Sequence, residues 1–301
     1  MKTPPYLKPG DTIGIVSPAK IIKREIVENA VLLFEKRGFK IKLGKHIFEG
    51  TQYFAGTDEE RVSDFQRMLD DDEVKMILCS RGGYGAVRIL DKLDFTKFHQ
   101  NPKWVAGYSD ITVFHAHLNT LGYESLHAEM PLNFPESGQT NFAIETLLTA
   151  ATGGHLSYTI DENPLNRAGF CESEIVGGNL TLLISLLGSP TALKTEGKIL
   201  FIEDVGEKLY HLDRMMQTMK RAGKLENLAG LVVGALNDMT ESELKFGKSA
   251  EEIVAEAVSG FNYPVCFGFP AGHIPDNRAL IFGRKVMLEV GKSVTVDFYG
   301  K

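Results

Sequence analysis

Apolar positions in the first 120 residues alternate between two rhythms. Residues 11–16 form a short apolar run that predicts a buried strand. Ser17 and Pro18 then stand where the cap and first turn of a helix belong, with Ile26, Ala30, Leu33 and Phe34 on one face and Gly38 closing it. A second helix is predicted from Thr57, because Thr57 and Glu60 make a T-x-x-E capping box ahead of the stripe Val62, Phe65, Leu69. Residues 74–79 predict another buried strand, which runs into the turn Arg81-Gly82-Gly83-Tyr84-Gly85 and a helix through Val87 and Leu90. A further strand at 104–108 ends at Ser109, followed by a helix over 110–121 that Gly122 stops. This strand–helix succession implies a mostly parallel sheet with right-handed crossovers.

The rhythm loosens from about 130 to 170 into Pro, Asn, Gly and Ser with one helix at 141–150, which predicts a connection between two domains. Beyond it the pattern predicts a buried helix over 177–187 opened by Gly177-Gly178, a strand at 198–203, a helix at 209–221 and a strand at 228–236. A period of two over 280–298 predicts antiparallel strands. The fold class is therefore α/β: an N-terminal α/β domain over 1–135, a connecting region over 136–170, and a mixed C-terminal domain over 171–301.

Composition narrows the function. With 33 basic and 39 acidic side chains the net charge is −6, and no Lys/Arg cluster supplies the footprint that a nucleic acid polymer requires. Prolines stand near the N-terminus where a signal peptide places its apolar run, and no stretch approaches eighteen uninterrupted apolar residues, so the expectation is a cytoplasmic protein with no membrane partner. Three cysteines, Cys79, Cys171 and Cys266, lack CxxC spacing and suit reduced thiols better than disulfides or structural zinc.

In an open parallel sheet, ligands bind beyond the carboxyl ends of the strands, which directs attention to the strand–helix junctions. At Gly107-Tyr108-Ser109-Asp110 a serine occupies such a tip, where its hydroxyl is exposed and the following amides face whatever it attacks; Ile111 replaces the second glycine of G-x-S-x-G, and a helix cap is the plainer role. The glycines after Arg81 let backbone approach a ligand and aim N–H groups at an oxyanion, or serve only as a turn. Neither G-x-G-x-x-G nor a Walker lysine accompanies them, so no cofactor is expected. A serine nucleophile needs a base. His273 lies in the irregular loop Gly268–Asn277 after a strand, whereas His115 and His117 lie inside an amphipathic helix and are not expected to bind metal. Glu203 and Asp204 end an apolar strand, and either is placed to orient the histidine; local chemistry does not choose between them.

These segments together resemble the LD-carboxypeptidase family. The resemblance rests on Ile13-Gly14-Ile15-Val16-Ser17-Pro18-Ala19, Ala55-Gly56-Thr57-Asp58-Glu59-Glu60-Arg61, the Arg81–Gly85 loop, Gly107–Asp110, Gly177-Gly178-Asn179-Leu180, Glu203-Asp204 and Gly272-His273, in that order over nearly the whole chain. It implies Ser109 as nucleophile, His273 as base, Glu203 as the orienting carboxylate, backbone amides of Gly83 and Asp110 for the oxyanion, and a site between two domains, commonly in a homodimer. It also implies a small muropeptide substrate, cut where an L-centre of diaminopimelate joins a terminal D-alanine, or, in a related branch, a microcin C-like aminoacyl nucleotide. Arg81 is the nearest cation for a terminal carboxylate, and Tyr84 stands beside the same loop. Two further readings compete: a binding protein that uses the glycine loop without turnover, and a cysteine hydrolase built on Cys79.

Overall fold

The computed structural model describes residues 1–50 and 52–299. In chain order the strands and helices are β1 (Thr12–Val16), α1 (Arg24–Lys36), β2 (Lys40–Leu43), α2 (Asp58–Asp70), β3 (Val74–Cys79), α3 (Ala86–Leu90), α4 (Thr96–Gln100), β4 (Trp104–Gly107), α5 (Thr112–Thr120), β5 (Ser125–His127), α6 (Phe142–Thr152), β6 (Leu156–Ile160), β7 (Gly169–Asn179), α7 (Leu180–Ser185), β8 (Ile199–Val205), α8 (Leu209–Arg221), β9 (Gly230–Asn237), α9 (Ala250–Ala257), β10 (Val265–Cys266), β11 (Leu280–Phe282), β12 (Lys285–Val290) and β13 (Val294–Phe298). They form two sheets. The first has the order β11-β5-β4-β3-β1-β2 and is parallel except for β11; the second has the order β10-β9-β8-β7-β12-β13-β6, parallel from β7 to β10 and antiparallel over the rest.

The central parallel strands β1, β3, β4, β8 and β9 are buried on both faces over most of their length, which is why they read as continuous apolar runs. One apolar cluster takes Val105, Ile77, Leu200 and Leu231, and the other takes Trp104, Met76, Phe201 and Val232, so successive strand residues feed opposite layers and each layer draws on both sheets. Trp104 is fully buried, and its indole N–H donates to the Pro5 carbonyl at 3.1 Å.

Two elements differ from the sequence pattern. Ser17 and Pro18 do not open the first helix: α1 begins at Arg24, and the groups expected to cap it have tertiary partners instead. Ser17 Oγ bonds Ser80 Oγ at 2.6 Å and the Pro18 carbonyl accepts from Arg61 Nη1 at 2.6 Å. The buried face of α1 is Val27, Ala30, Leu33 and Phe34, with Ile26 only half-buried. The helix expected over 177–187 is the end of β7 followed by the short α7, because Gly177–Asn179 pair with Phe201–Glu203 of β8 and the earlier part of β7 pairs with β12. Those partners are distant in sequence and leave no local periodicity. Residues 156–160, read as connection, pair with β13, and residues 280–282 cross back to close the first sheet against β5.

Candidate active site

Ser109 follows β4 in a single 3₁₀ turn, Ser109–Ile111, with φ at +63°, a left-handed conformation that is sterically costly for a serine and turns its side chain out of the strand direction. Glu203 lies in β8 and is fully buried; His273 lies on the loop between β10 and β11. The three side chains meet although 164 residues separate Ser109 from His273. His273 Nε2 is 3.1 Å from Ser109 Oγ, and its Nδ1 is 2.7 Å from Glu203 Oε2. Both contacts lie within hydrogen-bond range.

The backbone around this chain of bonds is closely fitted. A Cβ on Gly82 would lie 2.9 Å from Ser109 Cβ and 3.1 Å from its Oγ, so the glycine loop runs directly against the serine. Asp110 Oδ2 accepts from the Ala86 amide at 2.8 Å, and Arg61 Nη1 donates to the Gly85 carbonyl at 3.0 Å, which grips that loop from two sides. The histidine loop is held by Asn237 Nδ2 donating to the His273 carbonyl at 2.8 Å and by the Gly272 amide donating to Asn277 Oδ1 at 2.8 Å. Gly272 has φ +115°, and a Cβ there would lie 2.7 Å from Glu203 Oε2. Only glycine permits that crossing.

The Glu203–Asp204 ambiguity of the sequence resolves in β8. Asp204 points away from the histidine and accepts from Asn179 Nδ2 at 3.0 Å and from the Thr181 amide at 2.9 Å, holding the start of α7. Burial alone would lower the His273 pKa, but the hydrogen bond and charge of Glu203, aided by Asp204 and Glu129, reverse this and leave it above its ordinary value. Tyr108 is buried, with its ring edge-on to His273 at 5.0 Å, so it is not an open stacking face. Its role was not legible in sequence; nor were those of Glu129 and Arg61, although Tyr108 and Arg61 sit inside the quoted motifs.

Arg81 is half-buried, donates to the Ile21 carbonyl at 3.0 Å and lines a cleft with Ile22, Arg24 and Phe48. Tyr84 is exposed beside Gly83, 5.9 Å from the Phe54 ring and 6.5 Å from that of Tyr53. Cys79 is fully buried, with its thiol pushed well up by that burial, which removes the cysteine reading. His115 is buried between Ser125 Oγ and the Gly107 carbonyl, and burial lowers its pKa to about 4. Among the described residues, His46, Glu49 and Glu60 bring ligand-type atoms within 4.8 Å of one another, and none of the three belongs to the serine–histidine–glutamate group.

Comparison with known proteins gives the family. Residues 13–128 match the LD-carboxypeptidase N-terminal domain and residues 172–288 the LD-carboxypeptidase C-terminal domain. The chain belongs to the LD-carboxypeptidase family. It is thereby an enzyme, a hydrolase of the serine carboxypeptidase class. Among its relatives, a probable murein peptide carboxypeptidase of Bacillus subtilis is 35% identical over 97% of this chain and 93% of that one. The murein tetrapeptide carboxypeptidase of Pseudomonas aeruginosa is 29% identical over 92% of each. The microcin C7 self-immunity protein MccF of Escherichia coli is 26% identical over 93% and 91%. In three dimensions, the muramoyltetrapeptide carboxypeptidase of Oxalobacter formigenes superposes with a TM-score of 0.88 at 27% identity, covering 96% of this chain and 99% of that one.

Proposed function

We propose that this LD-carboxypeptidase releases the terminal D-alanine from murein tetrapeptides by an acyl-enzyme route in which Ser109 is the nucleophile, His273 the base and Glu203 its orienting carboxylate. The observation that carries the reading is the continuous bond chain from Glu203 Oε2 through His273 to Ser109 Oγ, at 2.7 and 3.1 Å, ending on a serine held at φ +63°.

In this mechanism His273 Nε2 takes the Ser109 proton as Oγ attacks the scissile carbonyl. Glu203 fixes the tautomer with the proton on Nδ1 and stabilises the imidazolium. The backbone amides of Gly83 and Asp110 face the oxyanion, a placement supported by the contact of the glycine loop with Ser109. His273 then gives its proton to the departing D-alanine amine, and water hydrolyses the acyl-enzyme by the same relay in reverse. Because only the neutral imidazole can act as base and the His273 pKa lies above the ordinary value, kcat/KM rises with pH through a limb above about 6.5.

Arg81 is assigned to the substrate's terminal carboxylate, since its guanidinium lines the cleft and is committed only to one carbonyl among the described residues. Tyr84, exposed on the same glycine loop, is assigned to substrate contact beside it. The working state is a homodimer in the cytosol, where released muropeptides are recycled; the three cysteines are all free, as a reducing compartment requires, and light scattering at twice 33.3 kDa checks the assembly.

Similarity to the microcin immunity protein favours one second reading, hydrolysis of aminoacyl nucleotides. The test incubates the protein with L-Ala-γ-D-Glu-meso-diaminopimelate-D-Ala, with its terminal amide, and with an aminoacyl sulfamoyl adenylate. Release of D-alanine that falls by about 10³-fold or more in Ser109→Ala is the expected result. Cleavage of the adenylate alone replaces the murein reading, and turnover surviving in Ser109→Ala removes the triad. Arg81→Ala is expected to raise KM for the free acid far more than for the amide; equal effects on both overturn its assignment.

A further inference from the structure

The proposed relay leaves one buried carboxyl at the site unused. Glu129 lies two residues beyond β5 and is 1% exposed. Both of its hydrogen bonds fall on Oε1, from the Met130 amide at 2.9 Å and from Asn133 Nδ2 at 2.9 Å. The same Asn133 amide donates to the Tyr108 hydroxyl at 2.9 Å, and the Tyr108 ring stands edge-on against His273 at an interplanar angle of 67°. The segment is anchored to the end of β3, where the Leu132 amide donates to the Ser80 carbonyl at 3.0 Å, one residue before Arg81 and the glycine loop. Among the described residues no cation bonds Glu129. A buried acid with two neutral donors and no cation is destabilising in its ionised form, so an electrostatic use beside a histidine that becomes charged during turnover accounts for it better than packing does.

We propose that Glu129 is a positioning residue for the reaction, a second carboxyl on the Tyr108 side of His273 that shares with Glu203 the stabilisation of the imidazolium formed when Ser109 gives up its proton. This rests on the reading of Ser109, Glu203 and His273 as the reacting group. The surrounding charges are consistent with it. Glu203 bonds His273 Nδ1 from β8 while Asp204, on the same strand, turns toward Thr181, and Glu129 reaches the histidine from the segment after β5 through Asn133 and the Tyr108 ring. Burial pushes the hydroxyl of Tyr108, just after β4, well up, and the charge of Glu129 adds to this, so it stays protonated. His127, on β5, is fully buried and held neutral by desolvation. Burial raises the Glu129 carboxyl to about 7 despite the Met130 and Asn133 hydrogen bonds and the charge of His273, all of which pull it down.

Glu129→Gln keeps an acceptor for Met130 and Asn133 and removes only the charge. Expected are a downward displacement of the acid limb of kcat/KM by about half a pH unit or more and a plateau kcat lower by roughly three- to tenfold. The His273 ring signals, followed by NMR titration in a Ser109→Ala background, are expected to move to lower pH by the same amount. Superimposable acid limbs and an unchanged His273 titration, with only thermal stability altered, overturn the proposal. If Glu129→Gln does not fold, Glu129→Met, which removes both charge and polarity, carries the same expected displacement. The NMR arm needs no turnover, so a relay that fails the Ser109→Ala assay and a Glu129 that fails to move His273 are separate outcomes.

Discussion

At the residue scale, the site depends on two backbones passing where a side chain would not fit. A methyl group on Gly272 would lie 2.7 Å from Glu203 Oε2 and 2.9 Å from its Cβ, at φ +115° where an L-residue is already strained. The clash falls on the carboxylate that bonds His273, so a displacement of a few tenths of an ångström is transmitted to the ring and from there to Ser109 Oγ. Gly272→Ala is expected to lower kcat by about 10- to 100-fold with a smaller change in KM, because misalignment of reacting groups costs the transition state more than binding. Steady-state kinetics beside a thermal melt checks this: a loss confined to melting temperature, with kcat intact, would show that the loop tolerates the shift.

At the element scale, α2 supports the site indirectly. Its start is a capping box in which the Glu60 amide donates to Thr57 Oγ1 at 3.2 Å and the Thr57 amide donates to Glu60 Oε2 at 2.7 Å. One turn on, Arg61 is 2% exposed and reaches Pro18 and Gly85, tying the helix to the first βα loop and to the glycine loop. Thr57→Ala removes one arm of the cap and is expected to cost about 1 kcal/mol of stability, read by denaturant unfolding, with kcat/KM changed less than twofold. A large activity loss without destabilisation would mean that the cap positions Arg61 rather than merely stabilising the helix.

At the scale of the whole molecule, the two sheets are joined by more than apolar contact. Arg284, just before β12, pairs with Glu124, just before β5, through Nη2–Oε2 at 2.6 Å and Nε–Oε1 at 3.2 Å, both side chains being under a tenth exposed. Breaking such a pair strands a buried charge, whereas replacing both partners with apolar groups removes the desolvation penalty as well. Arg284→Met alone is therefore expected to destabilise by about 3–5 kcal/mol, and adding Glu124→Leu to recover much of that loss. Chemical denaturation of both variants decides it; no recovery in the double variant would assign the effect to lost packing around the guanidinium stem.

Strands β1, β3, β4, β8 and β9 and the helices α2 and α8 were legible because their signals are local: short apolar runs, a T-x-x-E box, and a 3.6-residue stripe over 209–221. The candidate site residues were legible for a related reason, since each stands at a strand end or in the loop after one, and their ordered motifs resemble one family. Sequence alone left Ser17–Pro18 reading as a helix start and Gly177–Leu187 as a helix, because what their polar and backbone groups bond to lies dozens of residues away. It left Glu203 and Asp204 equivalent until the pleat of β8 sent them to opposite sides, one toward His273 and one toward Thr181. It gave no signal for Glu129, a single acid in an irregular segment, whose meaning comes from its burial beside Tyr108 and His273. Periodicity and turn chemistry are properties of neighbours along the chain, so the sequence determined the elements and the candidate residues; which groups face each other across 164 residues of separation is fixed by packing, and only the tertiary structure decided it.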